Sequence, residues 1–509
     1  MSYPDFIAVL PEAILTVAGI LVMLLGTVRR PGAGRWSSSL ALSGLLGAAL
    51  ALLYQRRHLG TAFGGMIQVD LFSLFFHLLF FLIAALVVLS SFPYLRRERL
   101  PASEYYALVL FATAGMGLMA AANELVLAFI GLEISSLASY VLVGFRRDVA
   151  ASSESSLKYF LLGSFATAFL LYGIALMFGA TGTTNLTAIR EILMGGQNPM
   201  SAASSGIGSA WLPWQSAQSV APQPFPTALL SLSIALIFVG FAFKVSAAPF
   251  QVWTPDVYQG APTPVTAFLS TGPKAAAFAI FLRVFMVALE DSAHLWWELL
   301  WVSAVLSMFI GNLAALWQSN LKRLLAYSSI AHAGYMLVAF TAHSREGTAS
   351  LLFYLAAYSF MNIGAFAVIS HLGGSGEQYV EMDDYAGLGY RSPWLAAALS
   401  IFLLSLIGIP LTGGFFGKFF IFQAALRADL LGLTVLGVLN SALAAYYYLR
   451  ILVSMYMSPP GQAVPLERVS PAVNFVLFVC ILGTFVLGVF PHSVLNYAMQ
   501  AAQWLQAGM

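Results

Sequence analysis

Long apolar runs alternate with short polar stretches along most of the chain; Leu71–Leu89 and Leu395–Ile409 are two of them. A run of about 18 or more apolar residues reads as a membrane-spanning helix. The pattern predicts fourteen helices, near residues 7–27, 36–54, 69–92, 104–122, 123–145, 155–180, 226–250, 263–289, 296–318, 322–343, 348–371, 393–424, 430–457 and 471–494. In lipid, backbone polar groups must be satisfied within the segment or in a closed barrel, and runs this long fit helices rather than barrel strands. The fold class expected is therefore an all-α membrane protein. Between predicted helices 6 and 7, residues 181–225 are rich in Ser, Gly, Pro and Gln and predict a flexible surface loop, with Trp211 and Trp214 at the membrane interface.

The pattern also repeats at long range. Helix 5 holds Ser135-Ser136-Leu137-Ala138 and Tyr140 to Phe145; helix 10 holds Ser328-Ser329-Ile330-Ala331 and Tyr335 to Phe340. Phe238-Val239-Gly240 of helix 7 matches Leu406-Ile407-Gly408 of helix 12, and Leu282-Arg283-Val284 of helix 8 matches Leu449-Arg450-Ile451 of helix 13. Each pairing is five helices apart, an odd number, so the second copy crosses the membrane with opposite polarity. Such an inverted repeat is a transporter signature. The expected organisation is residues 1–103 (helices 1–3), 104–290 (first repeat, helices 4–8), 291–458 (second repeat, helices 9–13) and 459–509 (helix 14). Helices 7 and 12 both carry helix breakers, Pro249 in one and Pro410, Gly413 and Gly414 in the other. Proline removes a backbone donor and glycine loosens the helix. Breaks at corresponding places in two repeats point to an ion path, and a simple kink is the structural alternative.

Composition agrees with this picture. Of 509 residues, 60% are hydrophobic and 9% charged, against about 25% charged in a soluble domain. The net charge of +2 says little, and no basic patch suggests a nucleic-acid partner. The single cysteine, Cys480, excludes an internal disulfide or a cysteine-ligated iron–sulfur cluster and reads as packing. The N-terminus lacks the basic region of a cleaved signal peptide, so helix 1 is expected to be retained. Arg29, Arg30, Arg35, Arg96, Arg97, Arg99, Arg146, Arg147, Lys322, Arg323, Arg391 and Arg468 follow odd-numbered helices. Only Arg56, Arg57, Arg190, Arg345 and Arg427 follow even-numbered ones. The positive-inside rule then puts the odd loops in the cytoplasm and both termini outside.

Four of the five lysines, Lys158, Lys244, Lys274 and Lys418, fall inside predicted spans. A charge at the bilayer centre costs about 2.5–3.5 kcal/mol on insertion scales, so such residues are functional candidates. Lysine suits a proton carrier because desolvation and a nearby carboxylate move its protonation equilibrium, whereas arginine stays charged. Glu133, in the middle of helix 5, is the carboxylate of interest, with Lys244 as its expected partner and a structural ion pair as the alternative. Lys158 has Glu154 four residues earlier, which also fits an interfacial pair. His332 in helix 10 is either a relay or a satisfied polar group. Arg283 and Arg450 read as structural, either snorkelling to the interface or capping buried acceptors. His77 is a weaker candidate, and Glu12 and Asp70 read as interfacial. No nucleotide loop, metal-ligand cluster or haem-spaced histidine pair is present in the sequence, so no cofactor is expected on this chain.

Four motifs carry a resemblance. They are Gly131-Leu132-Glu133-Ile134-Ser135-Ser136, the run Phe243-Lys244 through Ser246-Ala247-Ala248-Pro249-Phe250 to Asp256 and Pro262, Ala326-Tyr327-Ser328-Ser329-Ile330-Ala331-His332, and Pro410-Leu411-Thr412-Gly413-Gly414 to Lys418. The chain resembles the antiporter-like membrane subunits of bacterial respiratory complex I, NADH:quinone oxidoreductase, and the Ser-Ala-Ala-Pro-Phe wording is similar to the subunit N branch. The resemblance implies a proton-translocating membrane-arm subunit in the bacterial inner membrane. Glu133 and Lys244 would form a pair, Lys274 the central relay, and Lys418 the outer exit, with Lys158 on the inner side. NADH, FMN, iron–sulfur clusters and quinone would belong to partner subunits. The outward loop of 181–225 looks longer than is typical of the family. Two rivals remain: a subunit of a multisubunit cation/proton antiporter, and a non-pumping scaffold.

Overall fold

The computed structural model describes residues 3–27, 33–195, 227–459 and 468–507. Arg29, Arg30, Trp211, Trp214 and most of the predicted 181–225 loop lie outside the described residues. The membrane helices are α1 (Leu10–Leu25), α2 (Ala33–Gln55), α3 (Leu71–Arg97), α4 (Ala102–Ala121), α5 (Leu125–Val143), α6 (Ala150–Thr181), α7a (Thr227–Val245), α7b (Thr254–Gly260), α8 (Thr263–Arg283), α9 (Trp297–Leu316), α10 (Leu321–Thr341), α11 (Arg345–Leu372), α12a (Pro393–Ile407), α12b (Gly413–Arg427), α13 (Leu431–Met457) and α14 (Pro471–Val489), followed by α15 (Pro491–Ala507). Among the described residues, twelve helices have the length and apolarity to cross a membrane, and the chain is a multi-pass membrane protein. Side-chain caps set several starts: Asp70 Oδ1 accepts from Ser73 N at 2.7 Å on α3, and Asn320 Oδ1 accepts from Arg323 N at 3.1 Å on α10.

Burial sorts the helices. In the apolar windows of α8, α10 and α11, 94% of residues are buried, against 39% for α6 and 33% for α13. The first three are therefore the centre of the bundle. The outer helices turn large apolar side chains outward, as with Phe165 and Leu161 of α6, which suits lipid or a neighbouring subunit.

Several boundaries differ from the sequence reading. Helix 7 ends at Val245, before Pro249, and resumes as α7b. Helix 12 is two helices, and Gly413 and Gly414 are not in its break but open α12b. The glycine of the break is Gly408, which closes α12a at φ 99°, a left-handed conformation that side chains disfavour. Gly414 is needed for close packing, since a Cβ there would lie 1.9 Å from the Ser405 carbonyl oxygen. Residues 186–193, expected as flexible loop, form a helix capped by Asn185. Helix 14 stops at Val489 rather than 494, and Pro491 starts α15, whose Gln503 accepts from Arg345 at 2.8 Å. A short antiparallel hairpin, Gly60–Ala62 with Ile67–Val69, interrupts the all-helical pattern between α2 and α3.

Two contacts recur in the two halves. Arg283, near the end of α8, donates to the Ala120 carbonyl of α4 at 3.2 and 3.0 Å. Arg450 of α13 donates to the Leu316 carbonyl of α9 at 3.1 Å. Likewise Leu125 N donates to Thr184 O at 2.9 Å at the start of α5, and Leu321 N to Val380 O at 2.8 Å at the start of α10.

Candidate functional site

Residues 133, 136 and 140 are spaced three, four and seven apart, which puts them on one face of α5. Lys244, next to the end of α7a, meets that face. Its Nζ donates to Ser136 Oγ at 2.7 Å and to Tyr140 OH at 3.3 Å. The ammonium also lies 5.2 Å from the Tyr140 ring centroid and 5.5 Å from that of Tyr159, distances at which an aromatic face attracts a cation. The expected direct pair of Glu133 with Lys244 is not formed. Lys244 sits level with Ser136 and Tyr140, one to two turns along α5, and Glu133 acts on it only through its charge. Glu133 Oε1 is buried with no hydrogen-bond partner among the described residues.

Lys274 follows Pro273 inside α8 and is 1% exposed. Its Nζ donates to the Ser329 carbonyl at 3.1 Å and also to the Ser329 hydroxyl. Ser328, Ser329 and His332 share one side of α10. Ser328 is hydrogen-bonded to Tyr448 OH. His332 bridges two hydroxyls, Tyr354 at 2.5 Å on Nδ1 and Tyr448 at 3.1 Å on Nε2. Hydroxyls donate and accept, so either ring nitrogen has a partner for a proton moving in either direction. On α10, His332 lies between Ser329, which holds Lys274, and Tyr335, whose ring faces Lys418.

Lys418 owes its place to the broken helix. The last carbonyls of α12a have no intrahelical donors. From one turn into α12b, Lys418 Nζ donates to Leu406 O at 2.9 Å and Ile407 O at 3.0 Å, and to Ser441 Oγ at 2.9 Å. A cation at a helix C-terminus is stabilised by the helix dipole. The Tyr335 ring lies 4.9 Å away. A cleft of about 380 Å³, lined in part by Gly408, Phe415, Phe419 and Ser441, reaches Lys418 from the surface.

Lys158 stands apart from this row. Its side chain is 43% exposed and pairs with Glu154 and Asp256, both at 2.8 Å. Asp256 is also held by Arg323 at 2.6 Å. Lys158 Nζ and Arg323 thus donate to the two oxygens of one Asp256 carboxylate. Beside this lies a second network. Lys322, expected as a loop charge, is 1% exposed and pairs with Glu377 at 2.7 Å. Arg146 reaches Glu377 at 3.5 Å and Glu98 at 4.0 Å. Thr263 donates to Glu377 Oε1 through both its N and its Oγ1, each at 2.7 Å. Burial alone would raise the Glu377 carboxyl; Lys322 and Thr263 reverse this and keep it below the usual value. Glu12 and Asp70, expected at the interface, are also buried.

The sequence reading missed Glu98 and Glu377, which lie in segments that look like ordinary polar loops. It gave no role to Ser136, Tyr140, Ser329, Tyr354, Tyr448 or Ser441. Among the described residues no group of three or more His, Cys, Asp or Glu side chains is placed to hold a metal.

A row of buried cations held by hydroxyls and helix-end carbonyls defines a class, the membrane proteins that pass ions through broken helices. Residues 122–444 match the family model of the NADH:quinone oxidoreductase/Mrp antiporter transmembrane subunits. NADH-quinone oxidoreductase subunit N 1 of Solibacter usitatus is 52% identical, over 98% of this chain and 97% of its own length. Subunit N of Trichlorobacter lovleyi is 43% identical, over 97% and 96%. A chain of the Thermus thermophilus respiratory complex I structure with bound aureothin is 36% identical, with a TM-score of 0.77, covering 96% of this chain and 98% of that one. A chain of the Dietzia Mrp complex shares the fold, at 20% identity and a TM-score of 0.80, covering 100% and 98%. The chain belongs to the NADH:quinone oxidoreductase/Mrp antiporter family, and within it to the subunit N branch of complex I.

Proposed function

We propose that this chain moves protons through the membrane arm of a bacterial NADH:quinone oxidoreductase, driven by quinone reduction elsewhere in the complex. The observation that carries this reading is the row Lys244, Lys274, His332 and Lys418. These groups hold hydroxyls and carbonyls rather than counter-ions, and the middle two, Lys274 and His332, lie on the most buried helices, α8 and α10. Glu133 is the movable charge. A change at Glu133 alters the proton affinity of Lys244, and the proton passes by Ser329, Tyr448 and His332 from Lys274 towards Lys418. Lys158, with Asp256, is the inner-side entry.

The recurring Arg283 and Arg450 contacts, and the matching starts of α5 and α10, support an inverted repeat over 104–290 and 291–458. The chain lies in the inner membrane with both termini outside. Delivery against the membrane potential costs about 2.3 kcal/mol per charge per 100 mV. NADH, FMN, the iron–sulfur clusters and quinone are bound by partner subunits.

The family model also covers Mrp antiporters, so a gradient-driven cation/proton exchanger is the second reading. Purification in mild detergent through a tag on this chain separates the two. Flavin and iron–sulfur partners with quinone reductase activity are expected. Recovery of small membrane subunits alone, without redox activity, selects the antiporter.

A further inference from the structure

We propose that Glu12 and His77 form a second proton-holding site, in the N-terminal helices and outside the lysine row, sharing one exchangeable proton. The two meet where α1, α3 and α4 pack. His77 Nε2 lies 2.6 Å from Glu12 Oε1, and the side chains are 3% and 8% exposed. The opposite ring nitrogen, Nδ1, lies 2.6 Å from the Ser73 carbonyl oxygen. A carbonyl only accepts, so Nδ1 carries a hydrogen.

That fixes what happens on the other side of the ring. A contact of 2.6 Å between Nε2 and Oε1 needs one proton between them. Either Nε2–H donates to a Glu12 carboxylate, or a protonated Glu12 donates to a bare Nε2. Both forms hold the same single proton and the same zero net charge, so the proton shifts between two atoms without bringing a charge into lipid. Glu12 Oε2 is buried and has no hydrogen-bond partner among the described residues. An unpaired oxygen is costly on a buried carboxylate and cheaper on a neutral acid, which favours sharing over a fixed ion pair.

The surroundings are built for the contact. Gly117 of α4 faces it, and a Cβ there would lie 2.6 Å from Glu12 Oε1 and 2.9 Å from His77 Nε2. Besides Glu12, the charged group acting on His77 is Asp70. Asp70 is itself clamped by Arg283 at 2.9 and 3.1 Å. Arg283 ends α8, the helix of Lys274, so Asp70 and Arg283 tie the pair's helix to the relay helix. His77 is six residues into α3, about 9 Å along it. This places it towards the membrane face on which α1 and α3 begin. The pair is a proton store near that face. Its service to pumping rests on the proposed function, whereas the shared proton does not.

The test uses the purified complex with ¹⁵N-labelled histidine. The chain has seven histidines, and His77 is assigned by loss of its signals in His77→Gln. Between acid and alkaline pH, the His77 Nε2 signal should show a proton shared with oxygen that is lost in one transition, while Nδ1 stays protonated. Glu12→Gln should abolish that transition and leave a neutral ring throughout. Gly117→Ala, which crowds the contact, should shift the transition. If Glu12→Gln fails to assemble, the wild-type titration and Gly117→Ala decide alone. A His77 ring that remains doubly protonated over the whole pH range, unmoved by Gly117→Ala, overturns the proposal and leaves a fixed ion pair. The titration is read without turnover, so it stands or falls separately from pumping. A lowered proton-to-electron ratio in assembled Glu12→Gln is the expected functional result, and an unchanged ratio removes the pair from the pump.

Discussion

Two sets of buried or half-buried cations sit in this bundle, and they are held differently. In the row, Lys244, Lys274 and Lys418 bond to hydroxyls and carbonyls. At the face where α6 and α10 begin, Lys322, Arg146 and Arg323 each have a carboxylate partner. Among the described residues, the lysines in ion pairs are Lys158 and Lys322. A buried lysine paired with a carboxylate, as Lys322 is with Glu377, is locked, because losing its proton strands the partner's charge. A cation held by neutral dipoles loses its proton and leaves no unpaired charge behind. The first arrangement fixes structure and the second permits transfer.

This contrast makes its largest prediction for stability. Lys322→Met takes from the buried Glu377 its nearest cation and leaves only Arg146 at 3.5 Å; breaking a buried pair costs up to about 3–5 kcal/mol. Lys274→Met removes a charge that strands no partner and should leave assembly intact. Thermal unfolding of the two purified complexes measures both, and equal destabilisation would erase the distinction.

Glu133→Gln should slow proton pumping about tenfold, or roughly 1.4 kcal/mol of barrier. A double-mutant cycle should show its coupling to Lys244 and none to Lys418, whose ammonium depends on the α12a carbonyls. Coupling of equal size to both would mean that the two lysines are not distinct.

Tyr448→Phe removes the hydroxyl that touches both Ser328 and His332. It should slow pumping about threefold, a fraction of the 1.4 kcal/mol that a tenfold change represents. Stopped-flow proton uptake in vesicles gives the rate. No change would take Tyr448 out of the path.

The smallest effect is on pH stability. Glu377 is held below its ordinary value of 4.5. Its contribution is therefore complete above pH 4.5 and is lost as pH falls through its lowered value. Midpoint temperatures should drop on acidification below that range in the wild type, and less so in Glu377→Gln.

The lysines of the row were legible because charges are rare in apolar runs, so each one stands out at its cost. Glu133 stood out for the same reason. Their partners were not legible. Ser136, Tyr140, Ser329 and Tyr448 are common residue types in such helices, and only packing across five helices selects them. Glu377 was hidden because a carboxylate near Gly373-Gly374 reads as surface until Lys322 is seen beneath it. The break in helix 12 was found from Pro410, but its left-handed residue, Gly408, depends on where α12a stops. The helix α15 was missed, although Val494, Ala498, Ala501, Ala502 and Leu505 already mark one apolar face.

The most direct test of the account is the proton-to-electron ratio of the complex carrying Lys274→Met, reconstituted in vesicles. The account predicts an assembled complex that still reduces quinone but moves fewer protons per electron, or turns over at least about tenfold more slowly if the steps are tightly coupled. A complex with normal turnover and a normal ratio would contradict it, because the central lysine would then carry no protons.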